Sequence, residues 1–422
     1  MAGPSPMSGK ARHGTPTPCP ASRPLVVASR QHSFMRLRQL TLADFRNFQG
    51  PVVVELGPRF TVLWGHNGAG KTNILEALYL VSTLRSFRTA SLDALLRRGC
   101  DHARVEVEAF DDQLGLSTRL EVRLDRTARS TRRSARIDGK LIRSAADFYG
   151  RIQAVLFTPE DLGVLRGSPT GRRQFLDRVV FARTRAHIGD VQDYEKLLRS
   201  RNRVLKAEAD QLPAVERRRL LDAYDHQLAE VGARIWTRRV ELIDELREPF
   251  SRAFTQIHAD EELRSGSFVA GLSYRSRLPE HAELGDPAAR RAALGEALAA
   301  HRARDEAARR TTVGPHLDDL EVTLDGALAG EFASQGQARA LVLAFKIAEL
   351  RVARERSGRP PLLLLDDVSS ELDPIRSARL FEALAAEVGQ CVLTTTAAHH
   401  IELGSAADRR DIEVRDGTLR GP

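Results

Sequence analysis

The stretch FTVLWGHNGAGKTNILEALYL (Phe60–Leu80) joins an apolar run, a glycine-rich turn and a helical pattern in that order. Phe60–Trp64 reads as a short strand, GHNGAGKT (Gly65–Thr72) as a turn, and the segment from about Asn73 to Leu84 as a helix. The turn fits GxxxxGK[ST], and its context is the one in which that motif binds phosphate. Glycines allow the backbone N–H groups of Gly65, His66, Asn67, Gly68, Ala69 and Gly70 to wrap the phosphates of a nucleotide such as ATP. The helix N-terminus adds partial positive charge. Lys71 would bridge the terminal phosphates, and the Thr72 hydroxyl would ligate Mg²⁺. A glycine-rich turn with a chance lysine is the bland alternative, and the strand and helix around it argue against that.

The second anchor is PLLLLDDVSSELD (Pro361–Asp373). Four leucines in succession suggest a strand buried on both faces, as in a parallel sheet. Asp366 and Asp367 close that strand, where open α/β sheets place ligands. Asp366 would hold Mg²⁺ through water, and Asp367 would orient or activate the attacking water. Together the anchors define a nucleoside triphosphatase. A metabolite kinase, a helicase and an ABC-type ATPase would all share them. EFASQGQARALVLAFKIAEL (Glu331–Leu350) discriminates. A polar loop, Ser334–Gln337, precedes an apolar helix upstream of the acidic strand, which is the ABC signature arrangement. Ser334, Gly336 and Gln337 would offer a hydroxyl and free helical N–H groups to a γ-phosphate on the opposite subunit of a head-to-head dimer. Seen alone, the same stretch reads equally well as an ordinary N-capped helix.

The 422 residues, 42% hydrophobic and 28% charged, suit a soluble globular protein of two or three lobes. No apolar run reaches the ~18 residues of a membrane span. Three scattered cysteines give no disulfide framework or zinc site, and a reducing cytoplasm fits them. The net charge of +8 is carried almost wholly by arginine, lysine occurring only at 10, 71, 140, 196, 206 and 346. Such a balance favours a polyanionic partner, nucleic acid being the commonest. An arginine-rich solvated surface, or codon bias, would give the same count.

Residues 1–34, rich in Pro, Ser, Gly and Ala, read as a disordered extension upstream of a true start at Met35. Beyond it, 52–56, 60–64, 104–110, 120–124 and 153–157 read as strands of one mixed sheet. Long helical periodicity follows with little strand signal, and strands return at 320–326, 361–367 and 390–396. The expected fold class is α/β, an ABC-type P-loop ATPase head with a mixed or parallel sheet core and an inserted helical lobe. The parts are 35–175 with the P-loop, 176–310 as the helical lobe, and 311–422 with signature and acidic strand.

With three motifs in order, the chain resembles the RecF family, bacterial recombination-mediator ATPases related to SMC-type heads. LRQLTLADFRNF, LFTPEDLGVLRGSPTGRRQFLD (156–177), YEKLLRSRNRVLK (194–206) and TTVGPHLDDL (311–320) carry the resemblance beyond the nucleotide motifs. It implies a cytoplasmic, nucleoid-associated, ATP-dependent homodimer that binds DNA at gaps or junctions. It also implies help in loading recombinase with RecO and RecR, a need in SOS induction, and DNA-stimulated ATP hydrolysis. By position it puts Arg46 and Asn47 near the nucleotide, Thr158–Asp161 at the Q-loop and Ser370–Asp373 at the D-loop. Departures from the wider ABC pattern are Gln335 in place of a signature glycine and Asp367 in place of glutamate. The shorter arm of Asp367 suggests slow hydrolysis. The threonines ending QCVLTTT stand where many relatives have a switch histidine; His399 and His400 come late, so the switch residue stays open.

The most basic segment, Arg119–Ser144, holds eight arginines and Lys140. Its tip reads as a hairpin or mobile loop, and Arg129, Arg132, Arg133 and Arg136 are candidates for DNA phosphates. A solvated loop is the competing reading, and few aromatics lie nearby to stack bases. Competing functions are a transporter-type ABC subunit, an SMC-like DNA-organising ATPase and a DNA-binding protein with a vestigial P-loop. Basic charge and the signature disfavour the first. The lack of coiled-coil arms and of a hook CxxC disfavours the second, and the retained Lys71, Thr72, Asp366 and Asp367 the third.

Overall fold

In the computed structural model the apolar runs 60–64, 154–157 and 362–365 enter one sheet and the alternating strand 102–111 enters another. The structure describes residues 1, 3, 35–112, 114–143, 145–149, 151–206, 212–258, 268–278, 286–367, 384, 387–398, 401 and 409–420. The alternating strand belongs to a six-stranded antiparallel sheet in the order β2 (Pro51–Glu55), β1 (Met35–Ala43), β4 (His102–Asp111), β5 (Leu116–Arg126), β6 (Thr131–Ile137) and β7 (Lys140–Leu141). In β4, Ala103, Val105, Val107 and Ala109 are buried while Arg104, Glu106 and Glu108 are not, the pattern of a sheet with one wetted face.

The second sheet runs β15 (Thr418–Arg420), β14 (Arg409–Arg415), β3 (Phe60–Trp64), β13 (Gln390–Thr395), β12 (Leu362–Leu365) and β8 (Ala154–Phe157). It is parallel except at the β14–β15 edge. Both of its faces are covered. Leu362 and Leu364 of β12 enter a core shared with the antiparallel sheet, while Leu363 and Leu365 enter the core on the opposite side. The expectation of one mixed sheet is therefore corrected to two. Strand pairing is non-local, so apolar spacing identifies strands without assigning their partners.

Helix α1 (Lys71–Thr83) lies in the core between the two sheets, with Ile74, Leu75, Leu78 and Val81 buried. On the other side of the parallel sheet, one core is formed with a helical body of α2 (Pro169–Arg183), α3 (Ala186–Lys206), α4 (Ala214–His258), α5 (Pro287–Ala300) and α6 (Gln335–Ser357), in which α3 and α5 pack on α4. Ser168 caps α2 and Asp286 caps α5, each followed by proline at the first helical position. Trp236, Phe250 and Phe254 of α4 share one core with Phe345 of α6 and with Leu363 and Leu365.

The segment expected to be helical also contains β9 (Ala270–Arg275). It pairs with β10 (Asp319–Leu324) and, through it, with β11 (Ala327–Leu328). Only Ala270, Leu272 and Tyr274 carry its period-two signal, which is faint beside the long charged helices. Buried ion pairs tie this body together. Arg201 reaches Asp225 at 2.6 Å and Asp305 at 2.7 Å, and Arg239 binds both oxygens of Asp177 at 2.7 and 2.8 Å. At the base of β13, Gln390 joins the two sheets. Its Oε1 accepts from Leu37 N at 2.9 Å, and its Nε2 donates to Leu37 O at 2.8 Å and Gly57 O at 2.7 Å.

Candidate nucleotide site

β3 delivers the chain to Gly65, and α1 leaves from Gly70, so the loop closes over the end of a central strand. Glycine is required at both ends. Their φ values are +146° and +115°. A Cβ on Gly65 would stand 2.3 Å from Val414 O, and one on Gly70 would stand 2.6 Å from Asn47 Nδ2. Asn47 braces the loop: its Nδ2 donates to Ala69 O at 2.9 Å, and its Oδ1 accepts from Asn73 Nδ2 at 2.7 Å. Arg46 is held against α1 by two bonds to Glu76, at 2.8 and 2.7 Å. No side chain caps the first turn of α1, which leaves its N–H groups for a ligand or water. Lys71 Nζ donates to Gly65 O at 2.6 Å and His66 O at 3.0 Å. Burial lowers the pKa of that ammonium, while Asp367 and Asp366 act in the opposite direction. His66, Asn67 and Gly68 form the exposed rim.

The acidic strand meets this loop directly. The Thr72 hydroxyl donates to Asp366 Oδ1 at 2.8 Å, and the Thr394 hydroxyl donates to the same oxygen at 2.8 Å. The backbone N–H of Asp367 donates to Thr394 Oγ1 at 2.8 Å, so one threonine fixes both acids. Asp367 has a φ of +45°, a left-handed conformation uncommon outside glycine and frequent at functional sites. Burial raises the pKa of Asp366 beyond what its two threonine bonds can offset, and Glu160 adds repulsion. Glu160 stands just past β8, in the short helix Pro159–Leu162 capped by Thr158. Glu160 falls within Thr158–Asp161, the turn that the resemblance puts at the Q-loop, whereas Thr394 was not singled out as a site member, since it resembles any strand-forming threonine.

Among the described residues no three His, Cys, Asp or Glu side chains form a metal cluster. Thr72 and Asp366 nevertheless present two oxygens 2.8 Å apart, hard donors of the kind Mg²⁺ takes beside phosphate and water. The signature lies elsewhere on the subunit's surface chemistry. Helix α6 begins at Gln335, so Gly336 and Gln337 belong to its first turn and not to a loop. Ser334 Oγ accepts from Gln337 N at 3.2 Å, and Gln337 Oε1 accepts from Ser334 N at 2.8 Å, a capping box. Ser334 is exposed, as is Phe332 beside it.

Residues 36–413 match the sequence profile of the RecF/RecN/SMC N terminal domain. The DNA replication and repair protein RecF of Anaeromyxobacter sp. (strain Fw109-5) is 41% identical over 387 residues, covering 91% of this chain and 99% of its own. That of Myxococcus xanthus (strain DK1622) is 41% identical over 391 residues, covering 91% and 97%. The chain belongs to the RecF family. The solved structure of the recombination mediator protein RecF-ATPrS in the RecFOR pathway superposes with a TM-score of 0.77 at 26% identity, over 92% of this chain and 99% of that one. An SmcHead bound to the C-winged helix domain of ScpA, at 15% identity and a TM-score of 0.50, shares the fold alone. The fold class is thus the α/β head of RecF and SMC-type ATPases.

In this chain the basic segment is a hairpin, β5–β6, with Arg129 exposed in its turn. The pleat divides the candidate arginines. Arg132 and Arg136 lie on the outer face opposite Asp125 and Glu121, and Arg136 donates to Glu121 at 3.1 Å. Arg133 lies opposite Leu124, on the other face. The structure therefore does not bring the four together as one tip. Ser370–Asp373, His399 and His400 lie outside the described residues. No helix among the described residues is long and apolar enough to cross a membrane.

Proposed function

We propose that this chain is a DNA-repair ATPase that binds ATP between two head-to-head copies, hydrolyses it slowly and acts on DNA at gaps or junctions. The observation that carries the reading is the bond from Thr72 to Asp366, completed by Thr394. It fastens the P-loop to the acidic strand, the pairing that phosphoryl chemistry needs. The relatives named RecF, and the RecF-ATPrS structure, support the same reading.

In this mechanism Gly65–Thr72 cradle the phosphates. Lys71 exchanges its two carbonyl partners for phosphate oxygens, and its positive charge is sustained by the nearby aspartates. Thr72 and Asp366 would hold Mg²⁺, which when bound neutralises charge on the β- and γ-phosphate oxygens. Asp367, its backbone fixed by Thr394, orients the attacking water and takes its proton. Its one-carbon-shorter arm than glutamate accounts for slow turnover. Ser334, Gly336 and Gln337 act in trans, the Ser334 hydroxyl donating to the partner's γ-phosphate while its oxygen keeps accepting from Gln337 N. Lobes 35–175 and 311–422 carry this chemistry, and 176–310 supports it. Duplex or junction DNA stimulates it by lying on the arginine-bearing sheet. The proposal extends to loading of recombinase with RecO and RecR and to a part in SOS induction, a reading supported by the likeness to a recombination mediator of the RecFOR pathway.

Size-exclusion with light scattering tests this on wild type and Ser334→Arg, with and without ATP and DNA. ATP should produce dimers in wild type only, with ATP affinity of the single subunit unchanged. Dimers indifferent to both ATP and the substitution would sink the trans mechanism.

A further inference from the structure

Arginines in this protein are generally paired: Arg46 with Glu76, Arg172 with Asp319, Arg201 with Asp225 and Asp305, Arg239 with Asp177. Three break the rule in one place. Arg85 follows the end of α1, Arg133 is on β6, and Arg185 follows α2. The Arg185 guanidinium lies 3.8 Å from the ring centre of Tyr149, and that of Arg85 lies 5.4 Å from the ring centre of Phe181. The two rings meet edge to face at 6.2 Å. Arg133 is within electrostatic range of both Arg85 and Tyr149. Among the described residues, none of the three guanidinium groups has a carboxylate partner.

Gathering like charges beside aromatic rings is unfavourable until a counter-charge arrives. Burial, partly opposed by Tyr149, pulls the pKa of Arg185 down to about 10. Stacking on the rings fixes the guanidinium planes in advance, which reduces the ordering cost when an oxyanion binds. The cluster is also distinct from the nucleotide site. Arg85 lies beyond the C-terminal end of α1 and the P-loop precedes its N-terminal end, ~20 Å apart along a helix of this length. Its continuation argues for a polymer over a small anion, since β6 carries Arg133 into a hairpin whose turn exposes Arg129.

We propose that Arg85, Arg133 and Arg185, set around Tyr149 and Phe181, bind a backbone phosphate of a nucleic acid. This rests on the DNA-binding reading above and moves its principal contact from the outer hairpin face to the opposite one. Recognition by guanidinium groups without base-edge contacts makes the site indifferent to sequence and sensitive to salt.

The test is fluorescence anisotropy of a labelled duplex, with ATP, on the full chain. It compares wild type, an Arg85→Gln/Arg133→Gln/Arg185→Gln triple variant and the corresponding triple lysine variant at two salt concentrations. The glutamine variant should bind DNA about tenfold or more weakly, with a log–log salt slope shallower by about one. Its ATP affinity should stay within about twofold of wild type, the single-site energetics being separate. The lysine variant should keep the slope, which separates charge loss from misfolding. Wild-type affinity and slope in the glutamine variant would overturn this site and leave DNA binding standing. A wild type that binds no DNA would overturn both. Inorganic phosphate that raises the melting temperature of wild type but not of the glutamine variant, with DNA affinity equal in the two, would also overturn it, in favour of a small-anion site.

Discussion

His316 is enclosed by the helical body, and its two ring nitrogens are both engaged. A carbonyl can only accept, so Nε2 carries the hydrogen toward Thr311 O at 3.4 Å, and Nδ1 accepts from the Tyr194 hydroxyl at 3.0 Å. Burial, with Arg173 and Arg201 adding repulsion and the Thr311 carbonyl partly opposing, brings its pKa down to about 4. The unfolded chain would take up this proton near the ordinary value of 6.5. Between those values the unfolded state holds more protons, so the contribution to stability is complete above pH 6.5 and fades toward pH 4, by at most about 3 kcal/mol. His316→Gln should flatten that part of the curve in urea titrations from pH 7 to pH 4.5; an unchanged slope would refute the assignment. The reach of sequence reasoning differs from residue to residue here. Lys71, Thr72, Asp366 and Asp367 were legible because each stands at a fixed offset from a strand it terminates or a helix it opens. Thr394 was not, since its role depends on β13 lying between β3 and β12, a pairing of segments hundreds of residues apart.

At the scale of elements, β12 shows what a run of leucines specifies. All four of its residues are buried, and neighbours along the strand belong to different cores. Leu363→Ala and Leu364→Ala should therefore each lower stability by about 2–5 kcal/mol in chemical denaturation, where a strand with one wetted face would feel only one of them. A near-neutral result at either position would contradict a doubly covered sheet. The run was readable as a parallel-sheet strand before any coordinates, and the alternation in β4 was readable as a half-wetted one. That the two belong to separate sheets was not, because neither pattern names a partner. Strand β9 was hidden by its brevity and by Gly271 within it. The division of Arg132 and Arg136 from Arg133 was in principle available, since strand parity alone separates them once the hairpin is granted.

Across the whole molecule, the nucleotide-binding sheet has no core of its own apart from its surroundings. One core joins it to α1 and the antiparallel sheet, the other to α4 and α6. The inserted helical body was legible as a change of period, but this continuity was not, because packing partners leave no mark in local spacing. Besides these apolar layers, one carboxamide bonds across the two sheets. Gln390 is 2% exposed and uses its oxygen and both amide hydrogens on backbone groups of Leu37 and Gly57. Glutamate has the same shape, but in place of two donors it would present an acceptor to two carbonyl oxygens. Gln390→Glu should thus lower the unfolding free energy by roughly 2–4 kcal/mol in guanidinium titrations, through lost bonds and a buried charge or proton; parent-like stability would show that the amide is incidental. The consequence is chemical longevity: hydrolysis of this one amide would remove a polar tie between the two sheets while leaving their shared apolar core in place, and the same burial that makes the bond matter keeps out the water that would cleave it.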